Sequence, residues 1–255
     1  MIRAALLALA LVATGAEAAP CRQALALGLD VSGSVDAQEY RLQLDGLAAA
    51  LLHPEVREAF LADPGAPVWL AVYEWSGPSD QRLLQPWTPI DTPATLEGVA
   101  GRLAGTLRAK ADPSTAIGEA LELGRQLLSD RAECPKRVLD LSGDGIANTG
   151  RHPRDVKKGL PDWLVVNGLV ISSETNDDSF QSRMTTASLG GYYRTYVLHG
   201  LGAFLETALG FEDFEAAMVR KLKKELSVLI LGSLDPVAPG PWIKTIANPT
   251  PWSDR

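Results

Sequence analysis

The chain has 255 residues, with 24 Lys and Arg against 31 Asp and Glu, so its formal net charge is −7 at neutral pH. This acidic balance gives no support for nucleic-acid binding, which usually requires a basic patch. No linker, repeat or low-complexity block divides the chain, and its length suits one large α/β domain. We therefore expect a single domain over residues 20–234, followed by a poorly ordered Pro-rich tail over 235–255.

The first 19 residues have the pattern of a signal peptide. Arg3 provides a positive start, Ala4 to Val12 form an apolar run, and Ala16-Glu17-Ala18 is a small-x-small cleavage signal. The apolar run is too short to span a bilayer as a stable helix. Cys21 also suggests a lipoprotein, but the proline directly before it fits a lipidation signal poorly. We expect a periplasmic or secreted protein whose mature chain has no membrane span.

Strands and amphipathic helices alternate along the chain, which predicts a largely parallel sheet covered on both faces. Strands two and three should form a hairpin, because only a short turn containing Gly, Pro and Ser separates them. In chain order, the predicted strands are Ala24 to Val31, Pro67 to Trp75, Arg82 to Thr88, Arg137 to Leu141, Trp163 to Ser172 and Ala203 to Thr207.

The helices are predicted from capping signals and from apolar stripes at helical spacing. Asp36 and Glu39 form a capping box at the start of the first helix. The other predicted helices cover Pro93 to Leu107, a segment that starts at Thr115, and Phe211 to about Leu226. The inward stripes are Tyr40, Leu44, Leu47, Ala48 and Leu51; then Ile117, Ala120, Leu121, Gly124 and Leu128; and finally Phe214, Met218 and Leu222.

Four basic residues, Arg220, Lys221, Lys223 and Lys224, lie near the end of the last predicted helix. Cations at this position complement the helix dipole. We interpret the cluster as a solvated helix end rather than as a binding patch.

The most informative segment is Asp30-Val31-Ser32-Gly33-Ser34, where a buried strand meets the loop before a helix. Ligands of open parallel sheets bind at the carboxyl ends of the strands. Asp30, Ser32 and Ser34 provide hard oxygen atoms, which suit Mg²⁺ or Mn²⁺ better than zinc. Ser and Asp are also common turn formers, so a plain turn is the alternative.

Two later loops offer further oxygen ligands. Thr115 follows Asp112-Pro113-Ser114, and Asp144 lies in a short Gly-rich turn after the strand that begins at Arg137. Thr115 has an equally simple alternative role as a helix cap, and Asp144 as a turn residue. Three loops at strand ends or helix starts, each with hard oxygens, together predict one site for Mg²⁺, or for Mn²⁺ or Ca²⁺.

This set of residues resembles the metal-ion-dependent adhesion site of von Willebrand factor A (vWA) domains. The segments LDVSGSVDAQEYRLQ, VYEWSGPSDQ, STAIGEAL, LSGDGIANTG and FEDFEAAMVRKLKKEL are similar to an exported proteobacterial vWA-like family of unknown function. The resemblance implies a three-layer Rossmann-like fold, with a mostly parallel central sheet, one antiparallel edge strand and helices on both faces. It also implies that Ser32, Ser34 and sometimes Thr115 bind the metal directly, and that Asp30 and Asp144 act largely through bound waters.

The resemblance favours a binding module and not an enzyme. Neutral hydroxyl ligands leave a divalent cation electrophilic, so an open coordination position would accept a carboxylate from an acidic protein or peptide partner. A haloacid-dehalogenase-like phosphatase is an alternative, because Asp30 and the Asp144 turn resemble its first and last motifs. Such enzymes need an acid/base Asp where this chain has Ser32 and usually a further Asp where it has Asn148. A non-catalytic scaffold with a structural metal is the third possibility.

Cys21 and Cys134 are the two cysteines of the chain. They precede Asp30 and Asp144 by similar distances, so they would start two neighbouring parallel strands that end at these aspartates. Export to an oxidising compartment makes a Cys21–Cys134 disulfide our prediction. Two unpaired thiols are the alternative.

Overall fold

The computed structural model of the chain describes residues 21–172 and 180–227. The predicted signal peptide over 1–19 and the predicted tail over 235–255 lie outside the described residues. In the part that is described, no helix combines the length and apolar character needed to cross a bilayer.

The described chain forms a sheet in the order β3-β2-β1-β4-β5-β6. Only the edge strand β3 runs antiparallel to its neighbour, and the other pairs are parallel. The central strand β1 is buried along its whole length, as expected for a strand covered on both faces. The strands are β1 Gln23–Asp30, β2 Val68–Trp75, β3 Gln81–Ile90, β4 Arg137–Gly143, β5 Leu164–Ile171 and β6 Leu205–Ala208.

Helices cover both faces of this sheet and complete three layers, which confirms the expected fold class. The first, second, third and seventh helices share one apolar core with the sheet, and the fourth to sixth share another. The helices are α1 Ala37–Leu52, α2 Pro54–Phe60, α3 Pro93–Ala104, α4 Ile117–Ser129, α5 Pro153–Lys157, α6 Phe180–Tyr196 and α7 Phe214–Leu226.

Helix α1 begins as its sequence predicts. The Asp36 side chain accepts hydrogen bonds from the backbone of Gln38 and Glu39, and Glu39 reaches back to the Asp36 N–H. The predicted apolar stripe of α1 is buried. Gln43 lies on the same buried face, and its Nε2 donates to the Asp30 carbonyl oxygen at 3.0 Å. The helix therefore packs directly behind the end of β1.

Several helix boundaries differ from the prediction. Helix α3 ends at Ala104, three residues earlier than expected, and α4 begins at Ile117, after Thr115. Helices α2, α5 and α6 were not predicted. The first two are short, and α6 contains Thr, Ser and paired Gly residues, which have low helix propensity. Tertiary packing therefore contributes more to these helices than local sequence does.

A disulfide joins Cys21 and Cys134 at the edge of the sheet opposite Asp30, with a Cα–Cα distance of 5.0 Å. The two cysteines precede β1 and β4, which are adjacent parallel strands with Ala24 beside Arg137. The bond therefore connects the starts of the two strands whose other ends lead to Asp30 and Asp144.

The interpretation of the α7 basic cluster as a solvated helix end is wrong for Lys221. This side chain has no solvent exposure. Its Nζ lies 3.1 Å from Asp140 Oδ1 and 2.9 Å from Glu225 Oε1. Asp140 projects from the middle of β4 toward α7, so a charge that the sequence places near a helix end becomes part of the core.

Candidate metal centre

Three loops meet where the carboxyl ends of β1 and β4 lie side by side. Asp30 is the last residue of β1, and Asp144 directly follows β4. The third loop is held against the first because Gly33 N–H donates to the Pro113 carbonyl oxygen at 2.9 Å. A Cβ at Gly33 would lie only 2.8 Å from the Pro113 Cβ. Glycine at this position therefore permits the close approach of the two loops.

Hydrogen bonds connect the side chains of the first and last loops. Ser34 Oγ donates to Asp144 Oδ1 at 2.7 Å, and the Ser32 and Ser34 hydroxyl oxygens are 3.3 Å apart. The Ser32 backbone N–H donates to Asp30 Oδ1 at 2.8 Å. Four of the five residues singled out from the sequence therefore form one connected group of oxygen atoms.

Thr115, the fifth residue, faces the Asp144 loop. A Cβ at Gly145 would lie 3.9 Å from Thr115 Oγ1. Thr115 does not cap α4, because that helix has Ala116 at its N-cap position and no side-chain cap bond. The hydroxyl of Thr115 thus belongs to the same edge of the sheet as the other four residues.

Asn148 holds Thr115 in place. The Asn148 side-chain Oδ1 accepts from the Thr115 backbone N–H at 2.8 Å, and the Asn148 backbone N–H donates to the Thr115 carbonyl oxygen at 3.0 Å. From sequence alone, Asn148 was considered only as a missing aspartate of a phosphatase motif. Its position four residues after Asp144 was a signal in the sequence that Asn148 lies near the site. Its pairing with Thr115, however, depends on how two loops pack together.

Both carboxylates of the group are in environments that disfavour negative charge. Burial raises the pKa of Asp30 to about 7, the charge of Asp144 adds to the rise, and hydrogen bonds from Ser32 oppose it. Burial also raises the pKa of Asp144, although the bond from Ser34 opposes this. Asp30 Oδ2 is buried and has no hydrogen-bond partner among the described residues. A nearby cation would favour the ionised form of both groups.

The donor atoms fit a hard divalent cation. Two carboxylates and three hydroxyls are oxygen ligands of the type that Mg²⁺, Mn²⁺ and Ca²⁺ prefer. Residues 21–172 and 180–227 contain no cluster of three or more His, Cys, Asp or Glu placed to hold a metal. A cation at this edge would therefore depend on Ser32, Ser34 and Thr115 as well as on Asp30 and Asp144.

Residues 20–230 match the family described as "Protein of unknown function (DUF1194)". The match covers most of the chain. The chain belongs to this family. A search of curated proteins found no match.

Several solved structures contain a domain with a similar fold. Proximal thread matrix protein 1 from the mussel byssus, solved with a zinc-occupied metal-ion-dependent adhesion site, is 16% identical with a TM-score of 0.54, over 82% of this chain and 46% of that one. The pilus adhesin SpaC from Lactobacillus rhamnosus GG is 14% identical with a TM-score of 0.54, over 81% and 30%.

A von Willebrand factor type A protein from Catenulispora acidiphila is 13% identical with a TM-score of 0.52, over 81% of this chain and 42% of that one. The domain has the vWA fold. The aligned part is less than half the length of each of these three proteins, so the likeness concerns the domain and not their full architecture.

Proposed function

We propose that this vWA domain binds a divalent cation through Asp30, Ser32, Ser34, Thr115 and Asp144, and captures an acidic protein or peptide partner. The observation that carries the proposal is the hydrogen-bonded group that Asp30, Ser32, Ser34 and Asp144 form at the ends of β1 and β4, in which the buried Asp30 Oδ2 has no partner among the described residues. Mg²⁺, or else Mn²⁺ or Ca²⁺, is the proposed ion. When bound, it would act as a Lewis acid that accepts a carboxylate oxygen from the partner.

The ligand set supports reversible binding rather than a permanent structural metal. Ser32, Ser34 and Thr115 are neutral, so Asp30 and Asp144 are the charged groups of the set. Ser34 is exposed and Asp144 is half-buried, so a partner's carboxylate could approach the proposed cation from solvent. The zinc-occupied adhesion site of the mussel protein and the description of SpaC as a pilus adhesin agree with this use of the fold.

The proposed location is the periplasm or the extracellular space. The Cys21–Cys134 disulfide supports it, because such bonds persist in oxidising compartments. The signal-peptide pattern of residues 1–19 points in the same direction. The proposed function has no catalytic step, and a panel of small phosphate esters should remain uncleaved.

Melting the full mature protein in Mg²⁺ and in EDTA tests the cation site. We expect Mg²⁺ to raise the Tm of the wild type, and Asp30→Ala to abolish this rise while the protein still folds. Asp45→Ala is the matched control, since Asp45 is an exposed carboxylate on α1, and it should respond to Mg²⁺ like the wild type. An Asp30→Ala protein that keeps the full response would contradict the assignment of Asp30.

The same preparation tests the partner's chemistry. The immobilised wild type should retain acidic peptides in Mg²⁺, release them in EDTA, and lose affinity for peptides whose carboxylates are converted to amides. The Ser32→Ala variant should retain neither the acidic nor the amidated peptides. Equal retention of the acidic and amidated peptides would contradict carboxylate capture, even if the cation binds.

A further inference from the structure

Tyr193 lies beneath the candidate metal centre, although no pattern in the sequence connects it with that centre. Its side chain is fully buried on α6. A Cβ at Gly143, the last residue of β4, would lie 2.5 Å from Tyr193 Oη and 2.8 Å from Asp30 Oδ2. Tyr193 Oη and Asp30 Oδ2 therefore both lie against Gly143, the residue directly before Asp144.

Two glycines make room for the tyrosine ring on the face of the sheet. A Cβ at Gly168 on β5 would lie 3.0 Å from Tyr193 Cδ1, and one at Gly143 would collide with the hydroxyl. Gly143 and Gly168 lie on adjacent parallel strands. The ring thus lies across β4 and β5, with its hydroxyl directed toward the end of β1.

The two oxygen atoms that meet at Gly143 are both unpartnered. Tyr193 Oη and Asp30 Oδ2 are buried and have no hydrogen-bond partner among the described residues. Buried tyrosine hydroxyls normally find a partner. The backbone N–H of Asp144 interacts with the Asp30 carboxylate, but it does not form a hydrogen bond of ordinary geometry to Oδ2.

The Tyr193 hydroxyl can donate a hydrogen bond, and the nearby Asp30 Oδ2 has no hydrogen-bond donor among the described residues. The other oxygen of that carboxylate, Asp30 Oδ1, already accepts from the Ser32 N–H. A second bond to Oδ2 would fix the carboxylate at both oxygens. Groups that hydrogen-bond to metal ligands in this way orient them and increase metal affinity.

We propose that Tyr193 is a positioning residue for the metal centre. Its hydroxyl donates to Asp30 Oδ2, directly or through one bound water, and holds the ionised carboxylate in the orientation that serves the cation. This inference rests on the proposed function, since it assigns a role toward the same cation. Tyr193 itself is not a metal ligand.

Titration calorimetry with Mn²⁺ on the full mature protein tests this role. Tyr193→Phe removes only the hydroxyl, and we expect it to weaken Mn²⁺ binding by about 10-fold. Its Tm in EDTA should be equal to or above that of the wild type, because an unpaired buried hydroxyl is lost. Tyr196→Phe, one turn further along α6, is the matched control and should bind Mn²⁺ like the wild type.

The possible outcomes separate this proposal from the proposed function. If the wild type binds no Mn²⁺, the metal centre itself is refuted. If the wild type binds and Tyr193→Phe binds equally well, only the positioning role is refuted, whatever the change in Tm. Should Tyr193→Phe not fold, Gly168→Ala decides, because its Cβ would press on the Tyr193 ring and on Leu205 but does not have Asp30 among its nearest neighbours. Weakened Mn²⁺ binding by a folded Gly168→Ala would support the role, and unchanged binding would overturn it.

Discussion

At the scale of single residues, Asp30 is in the least favourable environment of the candidate site. It has no solvent exposure, and Asp144 adds a second negative charge nearby. A buried carboxylate is tolerated when a cation, hydrogen bonds or a proton compensates its charge. The Ser32 N–H provides part of this compensation, and a divalent cation is proposed to provide the rest.

The raised pKa of Asp30 predicts how the metal-free protein responds to pH. Between about pH 4 and pH 7, the folded state keeps a proton on Asp30 that the unfolded chain has released. In EDTA, lowering the pH from about 8 to about 5.5 should therefore stabilise the fold, and the gain is lost as the pH rises through about 7. The contribution is on the order of 4 kcal/mol at most.

Urea unfolding at several pH values checks this expectation. Burial also raises the pKa of Asp140 and of Asp144, so the Asp30 contribution is taken from the difference between the wild type and Asp30→Asn. Asp45→Asn changes the net charge equally at an exposed position and should keep the wild-type pH dependence. If the free energy of unfolding changed with pH equally in the wild type and in Asp30→Asn, the expected titration of Asp30 would be contradicted.

At the scale of elements, α7 is anchored to the sheet by buried charges as well as by apolar contacts. Burial alone would lower the pKa of Lys221, but attraction to Asp140 and Glu225 raises it overall. Asn167 on β5 adds a hydrogen bond from its Nδ2 to Glu225 Oε1 at 2.8 Å. The cluster therefore links α7 to both β4 and β5.

Removing the positive charge of Lys221 from this buried cluster should strongly destabilise the fold. Lys221→Ala leaves Asp140 and Glu225 buried without a positive partner, and we expect a loss of about 3–5 kcal/mol in the free energy of unfolding. Lys223→Ala is the matched control on the same helix, because Lys223 pairs with Glu55 at the surface and such pairs contribute little. Equal urea midpoints for the two variants would contradict an anchoring role for Lys221.

At the scale of the whole molecule, the disulfide and the candidate metal centre are at opposite ends of β1 and β4. The disulfide spans a sequence separation of 113 residues. Closing a loop of this length stabilises the folded state by about 5 kcal/mol relative to the open unfolded chain. The disulfide should therefore affect stability without affecting cation binding at the candidate metal centre.

Reduction of the disulfide should lower stability without removing the cation site. We expect dithiothreitol to lower the urea midpoint of the wild type, and a Cys21→Ser, Cys134→Ser double variant to have a similarly low midpoint with or without reductant. Mn²⁺ affinity should be unchanged wherever the protein remains folded. An unchanged midpoint for the reduced wild type would contradict the stabilising role, and a lost Mn²⁺ affinity would contradict the separation of the two features.

The sequence was sufficient for features that depend on a few consecutive residues. The apolar runs of β1, β4 and β5, the capping box at Asp36 and the hairpin of β2 and β3 were all predicted, because burial, capping and tight turns have local patterns. The mostly parallel sheet with one antiparallel edge strand followed from the resemblance, whereas the order of the strands came from the structure. The oxygen atoms of Asp30, Ser32 and Ser34 were found together because they share one loop.

By itself, the sequence determined the mostly parallel α/β fold and the residues that offer hard oxygens at strand ends. Only the tertiary structure decided that Asn148 holds Thr115, that Lys221 is buried, and that Tyr193 Oη and Asp30 Oδ2 both lie against Gly143. These contacts join residues far apart in the chain, and each depends on how a helix or loop packs against the sheet. No local periodicity encodes such contacts, because the free energy that selects them comes from burial and pairing in the assembled core.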